Sequence, residues 1–232
     1  MKEKQHIGSL FDRIAARYDL LNHLLSLNID RRWRRRAVAL LETLPPEGRL
    51  LDVATGTADL ALEIVRQGKA PHVLGIDLSE EMMKLGREKI RRAGRQEAIV
   101  LQRASALELP FESESFDAVT CAYGVRNFSD LDQGLREMQR VLRPGGQLLV
   151  LEFSYPDNRL IAWAYDLYFS HIMPLVGRLI SRDRSAYTYL NKSVKQFVWG
   201  QAMTDRLCRA GFQDPVYKTF TYGITTVYTA RK

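Results

Sequence analysis

The chain has 232 residues, 46% of them apolar, which fits a globular protein with a sizeable core and excludes disordered and fibrous classes. A formal net charge of +7 favours contact with something anionic without naming it. The only two cysteines, Cys121 and Cys208, offer no spacing for a metal site or a disulfide framework and point to a reducing compartment.

In chain order, the opening "MKEKQHIGSLFDRI" lacks the apolar core of a secretory signal, so a cytoplasmic protein is expected. The stretch from Ile7 to Leu44 predicts one or two helices that cover a site. Much of the basic excess falls in "DRRWRRR", residues 30–36, where nucleic acid, an anionic membrane surface and a solvated helix face all compete as readings. One cluster with a single Trp lacks the extended basic and aromatic surface of a general nucleic-acid binder, and no nucleic-acid partner is expected.

From Arg49 onward, short apolar runs alternate with helical patterns, the signature of a mostly parallel sheet with crossover helices. "RLLDVA", "HVLGID", "AIVLQR", "FDAVTCAY" and "QLLVLEF" read as five strands. "TADLALEIVRQG", "SEEMMKLGREKIRRAG" and "DLDQGLREMQRVL" read as helices, the last ended by "RPGG". Ser79 is the expected N-cap of the second of these, with acids in its first turn and Gly94 beyond its end. A long aromatic-rich helical region is expected over residues 158–180, followed by a helix in "MTDRLCRAGF". "DPVYKTFTY" and "ITTVYTARK" predict a closing antiparallel strand pair. The interrupted run of residues 159–180 would have to bury Asp166 and His171 to cross a bilayer, so no spanning helix is expected.

Ligands of open α/β sheets sit outside the carboxyl ends of the strands. Asp52, Gly56, Thr57 and Asp59 follow the first strand, and Asp77 and Leu78 follow the second. A carboxylate after the second strand suits the two hydroxyls of a ribose. The familiar dinucleotide pattern would need a glycine where Ala58 stands, and a diphosphate would meet Asp52 and Asp59. S-Adenosylmethionine carries no phosphate, and its ammonium and sulfonium groups tolerate such carboxylates.

The ordered motifs "LLDVATGTAD", "GIDLS", "LELPF", "FDAVTCAYGVRNF", "EMQRVLRPGG" and "LEFSYP" resemble those of class I S-adenosylmethionine-dependent methyltransferases. With "FDRIAARYDLLNHLLSLNIDRRWRR", the chain is similar, over nearly its whole length, to the quinone C-methyltransferases that act on demethylmenaquinol and on the related ubiquinone precursor. The resemblance implies a Rossmann-like fold with a seven-stranded, mostly parallel sheet, an antiparallel C-terminal strand, and added helices at the N-terminus and after the fifth strand. It implies one methyltransferase domain: residues 1–45 as helical cover, 46–153 as the cofactor half, and 154–232 as substrate-side helices and closing strands.

The same resemblance places Thr57 at the amino-acid end of the cofactor, Asp77 on the ribose, and Ser105 and Ala106 beside adenine. Many relatives carry Asp at the Ser105 position, and Ala122 lacks the serine hydroxyl some relatives have. On the acceptor side it points to Arg126 and Asn127, with Tyr18, beside Asp19 and Asn22, as a further contact. Arg126 as a stabiliser of a phenolate competes with Arg126 in a salt bridge that holds its loop. His171, within the aromatic stretch, is a candidate base by its titration range alone.

The apolar region after Phe153 would line a channel for a polyprenyl tail or touch the bilayer, with the arginines on anionic head groups and Trp33 at the interface. Peripheral contact with the inner face of the cell membrane is the expectation. The sequence leaves open the naphthoquinol or benzoquinol nucleus, with the alanine of "GTAD" leaning toward the menaquinone side, and it leaves open whether the protein is a homodimer.

Overall fold

The computed structural model describes Ser26, residues 28–168 and residues 193–232. In chain order these form α1 (Ile29–Val38), β1 (Arg49–Val53), α2 (Asp59–Arg66), β2 (His72–Asp77), α3 (Glu80–Arg92), β3 (Ile99–Arg103) and β4 (Phe116–Ala122). After a 3₁₀ turn (Val125–Asn127) come α4 (Leu131–Val141), β5 (Leu142–Phe153), α5 (Arg159–Leu167), α6 (Gln201–Arg209), β6 (Gln213–Phe220) and β7 (Thr225–Arg231).

The seven strands form one sheet in the order β3-β2-β1-β4-β5-β7-β6. The pairs β3/β2, β2/β1, β1/β4 and β4/β5 are parallel, and β7 runs antiparallel to both neighbours. The order reverses between β1 and β4, so their carboxyl ends flank the crevice where such sheets take ligands.

Strand alternation sends successive side chains to opposite layers. Leu50, Ala118 and Leu149 pack with α1 and α2 on one face, while Leu51, Val119 and Val150 pack with α4 and α6 on the other. Three helices begin on side-chain caps that their sequence supplies. Ser79 Oγ accepts from Met82 N (3.2 Å) at the start of α3, and Asp130 and Asn158 cap α4 and α5 in the same way.

Two expectations change. β5 begins at Leu142 rather than after "RPGG": Leu142 pairs with Phe116, the register then shifts, and Gly145 at φ 75° lets its N–H reach Lys232 O (2.8 Å). A left-handed glycine lets this segment be absorbed as a bulge. Trp33 is 4% exposed, its indole N–H bonded to Thr221 Oγ1 (2.8 Å) and its ring edge-on to Phe153, which removes it from any membrane interface. The helical period explains this: Trp33, Ala37 and Val38 share the buried stripe of α1, leaving Arg31, Arg32, Arg35 and Arg36 in solvent. Of the predicted region 158–180, the described part is helical over Arg159–Leu167.

Candidate active site

The loop after β1 is built from left-handed turns. Ala54, Gly56 and Ala58 have φ of 55°, 55° and 64°, so Ala58 adopts the glycine-like conformation without being glycine. An L-residue held there costs about 1–2 kcal/mol, strain of the kind found at ligand-binding turns. The loop lies directly against the neighbouring elements. A Cβ on Gly75 would come within 2.8 Å of Thr55 Oγ1, and one on Gly86 within 3.2 Å of the Thr57 backbone.

Two carboxylates hold this loop from below. Asp52, 1% exposed, accepts from Thr55 Oγ1 and Thr120 Oγ1, both at 2.7 Å. Asp77 accepts from Gly56 N (2.8 Å) and Ser79 N (2.9 Å), tying the ends of β1 and β2 together. Asp59, at the first turn of α2, pairs with Lys89 and with Arg34 (3.2 Å), while Lys89 also donates to Thr57 Oγ1 (2.9 Å). Its charge is therefore balanced, and the repulsion of a diphosphate expected from Asp59 is weaker than its bare sequence position implies. Asp52 and Asp77 still flank the site, and the Gly56 amide a phosphate would use is already engaged.

Burial pushes the Asp52 carboxyl up from its ordinary 3.8 to about 6, against the two threonine bonds and with help from Asp77. A folded-state value above the unfolded one contributes stability that is fully present below about pH 4 and is lost as pH rises through about 6. Asp52→Asn preserves the shape and removes this titration. Urea midpoints followed across pH should show the unsubstituted protein losing stability relative to Asp52→Asn over that window; parallel curves would mean that Asp52 does not titrate there.

All seven predicted cofactor residues, Asp52, Gly56, Thr57, Asp77, Leu78, Ser105 and Ala106, line one cavity at the carboxyl ends of β1, β2 and β4. Asn127 lines it as well. Ser105 Oγ accepts from Leu107 N (3.2 Å), so its hydroxyl is partly committed to its own turn. Sequence reasoning gave no such place to Arg34, Tyr123 and Phe128, which complete the wall. The one usable signal for Arg34 was Asp30 four residues earlier, the spacing of a helical ion pair.

Arg126 is not among the residues lining this cavity. Its guanidinium donates to Glu152 Oε1 (2.6 Å) and Tyr123 O (2.5 Å), and its backbone N–H donates to Glu152 Oε2 (3.2 Å). The two side chains are 4% and 0% exposed, so the pair is buried. It braces the turn that carries Tyr123 and Asn127, and Asn127 Nδ2 also reaches Tyr123 O at 3.4 Å. Burial pushes the Tyr123 phenol far above its ordinary range, which removes it as a base near neutral pH. Tyr18, Asp19, Asn22 and His171 lie outside the described residues. Among the described residues no His, Cys, Asp and Glu group could hold a metal.

A sheet of this order with a reversed seventh strand, and a cavity at its switch point floored by Asp52 and Asp77, defines the class I methyltransferase fold. The chain, matched over residues 1–232, belongs to the ubiE/COQ5 methyltransferase family. It is 42% identical over 231 residues to the demethylmenaquinone methyltransferase of Bacteroides fragilis, covering 100% of this chain and 94% of that one. It is 44% identical over 229 residues to the ubiquinone/menaquinone biosynthesis C-methyltransferase UbiE of Geobacter sulfurreducens, covering 98% and 89%. Among solved structures it is similar to the [4+2]-cyclase SpnF, with a TM-score of 0.71, 18% identity and coverage of 98% and 96%. A possible histamine N-methyltransferase of Thermotoga maritima gives a TM-score of 0.66 at 20% identity, covering 98% and 100%. A cyclase on the same scaffold illustrates that the fold alone does not choose a reaction.

Proposed function

We propose that the protein transfers a methyl group from S-adenosylmethionine to a ring carbon of a reduced polyprenyl quinone. Demethylmenaquinol is the foremost acceptor, and the ubiquinone-precursor benzoquinol is the alternative. The observation that carries this reading is the likeness to the Bacteroides fragilis demethylmenaquinone methyltransferase along the entire chain.

The donor set of the cavity fits a phosphate-free nucleoside. Asp77, a carboxylate at the end of β2 that lines the cavity, takes the ribose hydroxyls, while Gly56, Thr57 and Leu78 shape the turn around them. Ser105 and Ala106 border the adenine. The cofactor supplies an electrophilic methyl on a sulfonium.

The protein's task on the acceptor side is to place an electron-rich quinol carbon in line and to favour its phenolate. Asn127, on the cavity wall, orients the phenolic oxygen or a water, and the Arg126–Glu152 pair fixes the turn that presents it. Arg126 is thus assigned as a positioning residue. Tyr18 and His171 remain proposed acceptor-side contacts, as hydroxyl donor and proton acceptor.

Membrane delivery of the acceptor is proposed through α5. Leu160, Trp163 and Leu167 are 71%, 63% and 44% exposed and, at spacings of three and four, form one apolar stripe. α5 follows β5 in the chain, and α1, which carries the exposed arginines, packs Trp33 on Phe153 at the end of that strand. Among the described residues no helix is long and apolar enough to cross a membrane. Flotation with vesicles containing anionic lipid should carry the protein upward and leave Leu160→Ser/Trp163→Ser behind; equal flotation of both would contradict this role for α5.

Supplying labelled S-adenosylmethionine with reduced demethylmenaquinone and, in parallel, the reduced ubiquinone precursor tests the assignment. Transfer to the naphthoquinol is expected to be the faster, and transfer to neither ring would overturn it.

A further inference from the structure

The basic run of α1 has one member that does not face solvent. Arg34 is 9% exposed and, among the described residues, is the one cationic side chain lining the cavity, which otherwise presents the carboxylates Asp52, Asp59 and Asp77. Asp30, itself 3% exposed, holds Arg34 Nη2 at 2.7 Å, and Asp59 approaches the same nitrogen at 3.2 Å. Ser26 Oγ donates in turn to Asp30, and Lys89 holds the other oxygen of Asp59. Arg34 is therefore aimed from both sides, and both of its ion pairs run through one of its three guanidinium nitrogens.

We propose that Arg34 binds the α-carboxylate of the cofactor's methionyl group, with Asp30 and Asp59 as the residues that position it. The inference rests on the S-adenosylmethionine reading and adds to it a specificity residue from outside the cofactor half of the sheet.

The other polar groups near Thr57, the residue assigned to the amino-acid end, are poorly suited to an anion. The Gly56 amide is taken by Asp77, Asp52 is an anion with both oxygens engaged, and the Lys89 ammonium is occupied by Asp59 and Thr57 without lining the cavity. A buried, neutralised Arg–Asp cluster gives the guanidinium a fixed orientation, and its planar fork matches a carboxylate in two parallel hydrogen bonds. Binding then ties α1 to the loop after β1, and a ligand without the carboxylate forfeits that tie.

The test compares S-adenosylhomocysteine with its decarboxylated analogue, the thiopropylamine, by calorimetric titration of the full chain. The unsubstituted protein is expected to prefer the carboxylated ligand by roughly tenfold or more, the scale of a charge-assisted hydrogen bond. Arg34→Met is expected to erase that preference chiefly by weakening S-adenosylhomocysteine. Arg34→Lys, which keeps the charge and loses the fork, is expected to retain only part of it; should the methionine variant not fold, this variant carries the comparison. Equal weakening of both ligands, or unchanged preference in the variants, would overturn the assignment and leave Arg34 as a brace for the loop. Failure of the unsubstituted protein to bind either ligand would instead overturn the cofactor reading beneath it.

Discussion

Glu152→Ala should lower the folding stability by about 3–5 kcal/mol, the scale of breaking one side of a buried ion pair. Glu152 is 0% exposed and receives three hydrogen bonds, from Arg126 Nη1 (2.6 Å), Arg126 N (3.2 Å) and Phe153 N (2.8 Å). Its removal leaves the Arg126 charge buried beside the Phe153 ring without the Glu152 counter-charge. Urea unfolding at neutral pH measures the cost, and a loss below about 1 kcal/mol would contradict a buried pair of this kind. Arg126→Met together with Glu152→Leu should recover much of the loss, because an apolar pair of similar volume leaves no uncompensated charge. Turnover of any Arg126 variant therefore has to be compared per folded molecule. On that basis kcat should fall while cofactor affinity holds, since Arg126 supports the turn bearing Asn127 and does not line the cavity.

Asp77→Ala should weaken S-adenosylhomocysteine binding by about 1–3 kcal/mol, or roughly fivefold to 150-fold, through loss of the proposed ribose bonds. The carboxylate also fixes Gly56 N and Ser79 N, so its loss loosens the loop as well as removing a ligand contact. Asp77→Asn keeps one strong acceptor and should lie between the two. Calorimetric titration separates the cases, and an unchanged affinity in Asp77→Ala would remove Asp77 from the cofactor site. α3 should remain in place in either variant, because its first turn is capped by Ser79 Oγ and not by Asp77.

Local chemistry made much of this molecule legible. "HVLGID" forms a strand over His72–Asp77, and Ser79 caps the next helix, because apolar runs, cap residues and terminal charges all act within a few positions. The place of the loop after β1 was readable for the same reason: its acids and glycine sit at strand ends fixed by the βα pattern, and they line one cavity. The turn at Gly145 was not, since its absorption into β5 depends on pairing with Lys232 at the far end of the chain.

Partnerships across the fold were hidden in the same way. Arg126 and Glu152 are 26 residues apart and meet because β4 and β5 are parallel neighbours with Ala122 opposite Leu151. Asp59 reads as a bare carboxylate until α3 brings Lys89 to it and α1 brings Arg34. Trp33 in an arginine run suggested a membrane contact, yet the helical period turns it and Arg34 inward and leaves Arg31, Arg32, Arg35 and Arg36 outside. Ala58, where a dinucleotide loop would need glycine, adopts the left-handed turn regardless, packed against Gly86.

The most direct test of the central claim is the position of the transferred methyl. A reaction of the full chain with ¹³C-methyl-labelled S-adenosylmethionine and reduced demethylmenaquinone, its product read by NMR, should show the label bonded to a ring carbon of the naphthoquinone nucleus, with no transfer when the quinone is kept oxidised. Label on a phenolic oxygen, or transfer that ignores the redox state of the ring, would contradict carbon methylation of a quinol.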